Sequence, residues 1–272
     1  MPELPEVETV VRGLRRCLVG ERFGTVLFAS QRIARSNPSG WRSRLCGRRI
    51  EQVGRRGKYI ILHLSDDNAM IVHLRMTGRL WIKPASYVRG RHDRLMISLS
   101  GDRRLVLSDP RQFARVEWHP RSDLENHPGL QKLGPDALTI TSAQLSDACG
   151  RSHRPIKSLL LDQTRRAGLG NIYTDESLFS ARIHPRTFAV SLGPKRIARL
   201  GSAITSILRQ AIDACGTTFD TFSDLEGKAG GFGPHLQVYR RTGLPCPRCG
   251  SSIRRTILSG RGTHFCPRCQ RL

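Results

Sequence analysis

Four cysteines fall as two matched pairs near the end of the chain, Cys246-Pro247-Arg248-Cys249 and Cys266-Pro267-Arg268-Cys269. Each Cys-x-x-Cys turn can present two thiolates to one ion, and the 16 residues between the knuckles leave room for a β-hairpin. Four thiolates close a tetrahedral shell, so the expected occupant is a structural zinc ion rather than a catalytic one. Matched pairs argue against a redox dithiol. A module this small has little core of its own, and removing the metal is expected to unfold it. Arg261 stands between Gly260 and Gly262 at the tip of the expected hairpin, where it can approach a backbone or a groove closely. Cys17, Cys46, Cys149 and Cys215 are scattered singly and read as small apolar residues.

A second constellation is Ala167-Gly168-Leu169-Gly170-Asn171-Ile172-Tyr173. Its glycines allow tight turns and expose backbone N–H groups, which with the following helix N-terminus form a natural phosphate site. Asn171 stands where it can cap that helix or bond a phosphate oxygen. The charge points the same way. Lys plus Arg outnumber Asp plus Glu by 45 to 22, for a net charge of +23 and a pI near 11.1. Such an excess favours a polyanionic partner, because every neutralised phosphate releases counterions.

These groups need elements to carry them. Residues 5–18 carry Val7, Val10, Val11, Leu14 and Leu18 at helical spacing, with Glu6 and Glu8 in the first turn. From about 22 to 118 the pattern turns to short strands: 59–64, 70–74, 79–82, 95–99, 104–107 and 114–118, separated by turn clusters, which suggests an antiparallel sandwich or barrel. Residues 119–142 read as a linker. Beyond them Ile156, Leu159 and Leu160 mark one helix, 171–181 a second, and Ile197 to Ile212 a long third. The expected fold is α+β: an N-terminal antiparallel β-sandwich flanked by helices over 1–133, a helical domain with a helix–two-turn–helix over 134–235, and a zinc-finger hairpin over 236–272. No apolar run approaches the ~20 residues of a membrane span. The acidic, Pro-broken start is unlike a signal peptide, so a cytoplasmic protein is expected.

Taken in order, these pieces resemble the formamidopyrimidine-DNA glycosylases, bacterial enzymes that excise oxidised purines. The resemblance runs from Pro2-Glu3-Leu4-Pro5-Glu6 through Gly54-Arg55-Arg56-Gly57-Lys58-Tyr59, His73-Leu74-Arg75-Met76-Thr77-Gly78, Asp109-Pro110-Arg111-Gln112-Phe113 and Gly168-Leu169-Gly170-Asn171 to the zinc hairpin. It implies that loss of Met1 exposes the amine of Pro2 as a nucleophile, that Glu3 is the acid/base beside it, and that Glu6 orients the amine or the bound nucleotide. It implies that Lys58 contacts the phosphate next to the lesion and supports catalysis, and that Met76, Arg111 and Phe113 fill the space left by an extruded nucleotide. His73, His92, Lys157, Asn171 and Arg261 would contact DNA, with Arg261 also supporting catalysis, and a mobile loop near 217–232 would cover the extruded base.

Damaged double-stranded DNA and one zinc ion are therefore the implied partners of a bacterial nucleoid-associated monomer. Three places depart from the common pattern. Arg75 stands where Gly is frequent, Gln112-Phe113-Ala114 replaces Arg-Phe-Gly, and His92-Asp93-Arg94 replaces His-Asp-His. None falls on the amine or its acid. Two rival readings remain: the related endonuclease VIII type, which prefers oxidised pyrimidines, and a non-catalytic zinc-ribbon protein. Leu4 and the Met76, Arg111 and Phe113 set favour the purine enzyme.

Overall fold

The computed structural model describes residues 2–34, 40–219 and 222–272. It separates into two compact units: residues up to Gln131 with Ala214–Gly231, and Lys132–Asp213 with Phe232–Leu272. The architecture is the expected α+β arrangement of a β domain, a helical domain and a zinc-finger hairpin.

The first unit opens with helix α1 (Leu4–Leu18), whose apolar stripe of Val7, Val10, Val11, Leu14 and Leu18 is buried to 1% exposure or less. A short helix α2 (Trp41–Leu45) and two four-stranded antiparallel sheets follow. One comprises β1 (Phe23–Phe28), β6 (Asp93–Leu99), β7 (Arg103–Ser108) and β5 (Arg79–Pro84), paired in that order. The other comprises β2 (Ile50–Arg56), β3 (Tyr59–Leu64), β4 (Asn68–His73) and β8 (Arg115–Pro120). Their inner faces share one apolar core with α1, including Phe23, Ile97 and Leu107 from the first sheet and Val53, Leu62 and Val72 from the second.

Strands β1 and β2 escape the period-two pattern for a physical reason. Each carries a bulge, between Phe23 and Val26 and between Ile50 and Gln52, so its buried residues stand three apart. The stretch read as a linker is also partly ordered: β8 runs to Pro120, a 3-10 turn covers Arg121–Asn126 and a short helix α3 covers Pro128–Gln131. Residues 222–225 return to the first sheet. Trp81 Nε1 donates to Ser223 Oγ at 3.2 Å, and Ile82 N donates to Leu225 O at 3.3 Å. Leu225 seats on α1 over Gly13, where a Cβ would lie only 2.8 Å from Leu225 Cδ1.

The second unit holds α4 (Ser142–Gly150), α5 (Ile156–Leu161), α6 (Asn171–Ser180) and α7 (Pro194–Asp213), plus the hairpin β9 (Arg254–Leu258) and β10 (Arg261–Phe265). Gln163 closes the turns between α5 and α6: its Nε2 donates to Leu161 O and Leu169 O, and its Oε1 accepts from Gly168 N. Gly168 sits at φ +105°, in a region that glycine adopts without strain. Ser259 and Gly260 both take positive φ and join β9 to β10 by a two-residue turn, the geometry that a right-twisted hairpin favours.

Truncating Leu225 to Ala leaves a cavity between α1 and the first sheet. The variant should lose about 2–5 kcal/mol of stability in urea unfolding. A loss below about 1 kcal/mol, the level of an ordinary substitution, would show that this segment is not part of the core.

Candidate active site and metal centre

The start of α1 is built around two carboxylates. Glu3 is the N-cap and Glu6 the third helical residue of a capping box. Glu6 Oε2 accepts the Glu3 backbone N–H at 2.8 Å. Its other oxygen, Oε1, accepts Thr217 N–H at 2.8 Å. A Cβ at Gly216 would lie 2.9 Å from that oxygen, so the approach needs glycine, which sits there at φ +82°. Pro2, Glu3 and Glu6 are all buried, Glu3 at 3% exposure and Glu6 at 1%. The sequence therefore places Glu3, the residue after Pro2, at a helix N-terminus, and contacts of Glu6 hold that end of the helix. Met1 lies outside the described residues, as do Asp220 and Thr221 of the expected covering loop.

Lys58 occupies a two-residue turn between β2 and β3, with Gly57 at φ +56°. Arg55 anchors that turn to α1: its Nε donates to Glu8 Oε2 and its NH1 to Gly57 O, both at 2.9 Å. Register pairs Tyr59 with His73, and their rings meet edge to face at 4.7 Å. His73 Nδ1 accepts Arg75 N–H at 3.0 Å, which leaves the proton on Nε2. Burial, then the nearby charges of Arg75 and Lys58, lower the His73 pKa to about 3. Lys58 is itself buried at 6% exposure.

Met76, Arg111 and Phe113 come from two loops of the same unit and meet on its surface. Arg111 NH1 lies 3.9 Å from Met76 Sδ, and its guanidinium carbon lies 4.5 Å above the Phe113 ring. Met76 and Phe113 are each 42% exposed, an unusual fate for large apolar side chains. His92 is exposed and sits beside this group, since its carbonyl accepts Asp109 N–H at 2.8 Å.

In the second unit, Lys157, Asn171 and the start of β10 converge on one carbonyl. Lys157 Nζ donates to Gly262 O at 3.1 Å, and Asn171 Nδ2 donates to the same oxygen at 2.9 Å. Lys157 has 0% exposure, and its Nζ lies 2.7 Å from Asp175 Oδ1. Asp175 Oδ2 accepts His264 N–H at 2.8 Å. Lys157, expected at a phosphate, thus has a protein counter-charge in Asp175. Its charge is paired inside the protein, where it fixes the strand that begins with the exposed Arg261. Arg261 borders an open groove of about 340 Å³, also lined by Arg154, Ser158 and Ser259.

The four thiol sulfurs of Cys246, Cys249, Cys266 and Cys269 lie within 4.8 Å of one another. Cys246 and Cys269 are 3.8 Å apart and Cys249 and Cys266 3.5 Å apart. A tetrahedral zinc with ~2.3 Å bonds needs sulfur separations of about 3.8 Å, so the cage fits. Backbone N–H groups of Arg248 and Cys269 point at Cys246 and Cys266 sulfur, as thiolate ligands require. Arg248 fastens the first knuckle to the end of α6 through Phe179 O at 2.9 Å. The site is a closed, structural zinc centre.

Glu8, Arg55, Asp175 and His264 were not foreseen as parts of these sites. Arg55 lay within a quoted Gly-Arg-Arg-Gly-Lys run, but its pairing with Glu8 spans 47 positions, and that of His264 with Asp175 spans 89. No local spacing reveals such pairs.

Comparison with known proteins places these features in one setting. Residues 1–116 match the formamidopyrimidine-DNA glycosylase N-terminal domain, 133–223 the formamidopyrimidine-DNA glycosylase H2TH domain, and 243–272 a zinc finger found in FPG and IleRS. A formamidopyrimidine-DNA glycosylase of Pelotomaculum thermopropionicum is 42% identical over 275 residues, covering 100% of both chains. A single-site mutant of the Lactococcus lactis FPG, solved with DNA containing Fapy-dG, superposes with a TM-score of 0.94 at 36% identity and covers 100% of both chains. Wild-type L. lactis FPG, solved with DNA containing an oxidized pyrimidine, gives a TM-score of 0.92 at 36% identity, again over 100% of both.

Two measurements follow from this geometry. Lys157→Met strands a buried carboxylate and should cost about 3–5 kcal/mol in denaturant unfolding, with part regained in Lys157→Met/Asp175→Leu; an unchanged single variant would refute the buried pair. His73 should stay neutral in the Nε2–H tautomer from pH 8 to 5 by nitrogen NMR. Unfolded, the ring takes its proton near pH 6.5, so the folded form loses stability as pH falls from there toward about 3. A His73 titration midpoint above pH 6 would contradict the burial argument.

Proposed function

The chain belongs to the formamidopyrimidine-DNA glycosylase family, and from that premise we propose that it is a bifunctional glycosylase and abasic-site lyase for oxidised purines, working through the amine of Pro2. The enzyme class, a DNA glycosylase with a structural zinc finger, is that of the family. The observation that carries the finer reading is the buried Pro2-Glu3 step locked at the helix N-terminus by Glu6.

With Met1 removed, Pro2 becomes a secondary amine with an α-amine pKa of ~7.7–8.0, so a useful fraction is neutral near pH 7. Its lone pair attacks C1′ of the nucleotide, the C1′–N9 bond breaks, and the base leaves with the bonding pair and takes up a proton. Glu3 supplies and removes protons as the sugar ring opens. The iminium formed on a secondary amine has no N–H to lose. It stays cationic and draws electrons first from C2′, where a proton leaves as the C3′–O bond breaks, and then from C4′, where a second proton leaves as the C5′–O bond breaks, so the 3′ and then the 5′ phosphate are expelled by β- and δ-elimination.

Reaching C1′ means turning the nucleotide out of the stack. In this reading Met76 and Phe113 wedge into the vacated space and Arg111 bonds the unpaired base. Lys58 and the neutral Nε2–H of His73 bind the phosphate beside the lesion, Glu6 orients the nucleotide, and Asn171 and Arg261 hold flanking phosphates. His92 supports the DNA from beside the wedge. Lys157 joins Asn171 and Arg261 at those phosphates, and its bond to Gly262 O ties it to the strand that carries Arg261. Residues 1–133 act as the catalytic domain, 134–235 as the helical DNA-binding domain and 236–272 as the zinc finger. Among the described residues no helix is long and apolar enough to cross a membrane, and we place the enzyme in the cytoplasm, acting as a monomer on nucleoid DNA.

Borohydride trapping on a duplex containing 8-oxoguanine tests the chemistry. A covalent adduct should form and should vanish in Pro2→Gly or when Met1 is retained. Absence of an adduct on any lesion would sink the lyase reading and favour a non-catalytic zinc-ribbon protein. Since an L. lactis relative was solved with an oxidized pyrimidine, purine preference is read from kcat/KM on the two lesion types. A higher value for the pyrimidine would favour the endonuclease VIII type.

A further inference from the structure

The stack of Met76, Arg111 and Phe113 rests on a buried carboxylate that the reaction does not use. We propose that Asp109 is a positioning residue that holds these three side chains as one preorganised wedge for damaged duplex DNA. The proposal rests on the reading that they fill the vacated space.

Asp109 has 0% exposure. Its Oδ1 accepts Thr77 Oγ1 at 2.5 Å and Arg111 N–H at 3.1 Å, and its Oδ2 accepts Ala114 N–H at 2.7 Å. Thr77 follows Met76 in the β4–β5 loop, whereas Arg111 and Ala114 flank the tip of the β7–β8 loop. One carboxylate therefore ties together the two loops that supply the wedge. The anchor is itself fixed, because Arg94 Nε donates to Asp109 O at 2.9 Å.

The carbonyl side of the same loop is held separately. Arg115 NH1 reaches the carbonyls of Ala114 at 3.0 Å, Phe113 at 3.4 Å and Gln112 at 3.5 Å. Gln112 takes φ +55°, a strained choice for a side-chain-bearing residue, and its Oε1 accepts Ser30 Oγ at 2.6 Å. A Cβ at Gly78 would lie 2.5 Å from Leu74 O and 3.1 Å from the Ala114 methyl, so the loops meet with no spare room.

Exposed apolar side chains gain nothing in folding from being held this rigidly. A group that must enter a base stack does gain, because its ordering cost is met before binding. The brace therefore serves recognition of a duplex with an empty position, and intact duplex has no place for the wedge.

The test compares dissociation constants for a duplex holding a stable abasic-site analogue and for the same duplex undamaged, in wild type, Asp109→Asn, Thr77→Val, Thr77→Ser and Phe113→Ala. Asparagine keeps the shape but cannot accept from all three donors. Asp109→Asn and Thr77→Val should weaken binding of the abasic duplex about 10²-fold, the scale of a small misplacement. Affinity for undamaged duplex and its salt dependence should not change. Thr77→Ser, which keeps the hydroxyl, should restore wild-type discrimination, and Phe113→Ala should show the same selective loss. Equal weakening on both duplexes, or no loss of discrimination in Asp109→Asn and Thr77→Val while Phe113→Ala loses it, would overturn the brace. Unchanged discrimination in Phe113→Ala would instead remove the wedge reading on which the brace depends.

Discussion

The geometry at the N-terminus depends on one buried carboxylate. Glu6 commits Oε2 to the Glu3 backbone and Oε1 to the Thr217 backbone. A carboxylate taken out of water must have its lone pairs satisfied, because leaving one unmet costs more than the bond contributes. Two segments separated by 211 positions must therefore meet at a single side chain, and glycine at 216 is what lets them approach. Arg55 extends the same logic. Between Glu8 and the Gly57 carbonyl, it fixes the turn that carries Lys58 to the helix that carries Pro2 and Glu3.

The device recurs in both units. Asp109 collects three donors from two loops, and Asp175 collects Lys157, the His264 backbone and, at 3.2 Å, the His264 ring. Glu176 accepts three successive backbone N–H groups from residues 237–239. Burial pushes its pKa up while those donors pull it down. In a chain of net charge +23 the acidic residues are the scarce kind. Several of them are used inside, each fastening a loop, while many arginines are left on the surface for a polyanion.

Much of the fold was legible because local physics reports it. The α1 stripe, strand 79–82 and the long helix α7 have one face turned to the core, and that face writes its period into the sequence. Strands β1 and β2 were not legible, since their bulges replace the period of two with a spacing of three. The segment after residue 119 was read as a linker because Pro, Gly, Asp and His dominate it. Yet short turns and α3 form there once His127 accepts N–H bonds from Gly129 and Leu130.

For the sites, residue types and short spacings were enough to identify the zinc cage, since four cysteines in two knuckles suit one tetrahedral ion. They also made legible the glycine turn before α6, whereas the Pro2-Glu3 start was singled out only by resemblance to the family. The sequence by itself determined which groups are present: thiolates spaced for a metal and an excess of cations. Tertiary structure alone decided which polar groups stay at the surface and which are satisfied within the protein. Lys157 is the clearest instance, a cation whose buried counter-charge, Asp175, lies 18 positions on and against it at 2.7 Å. Burial and pairing are properties of three-dimensional neighbours, and a buried charge goes where its counter-charge is.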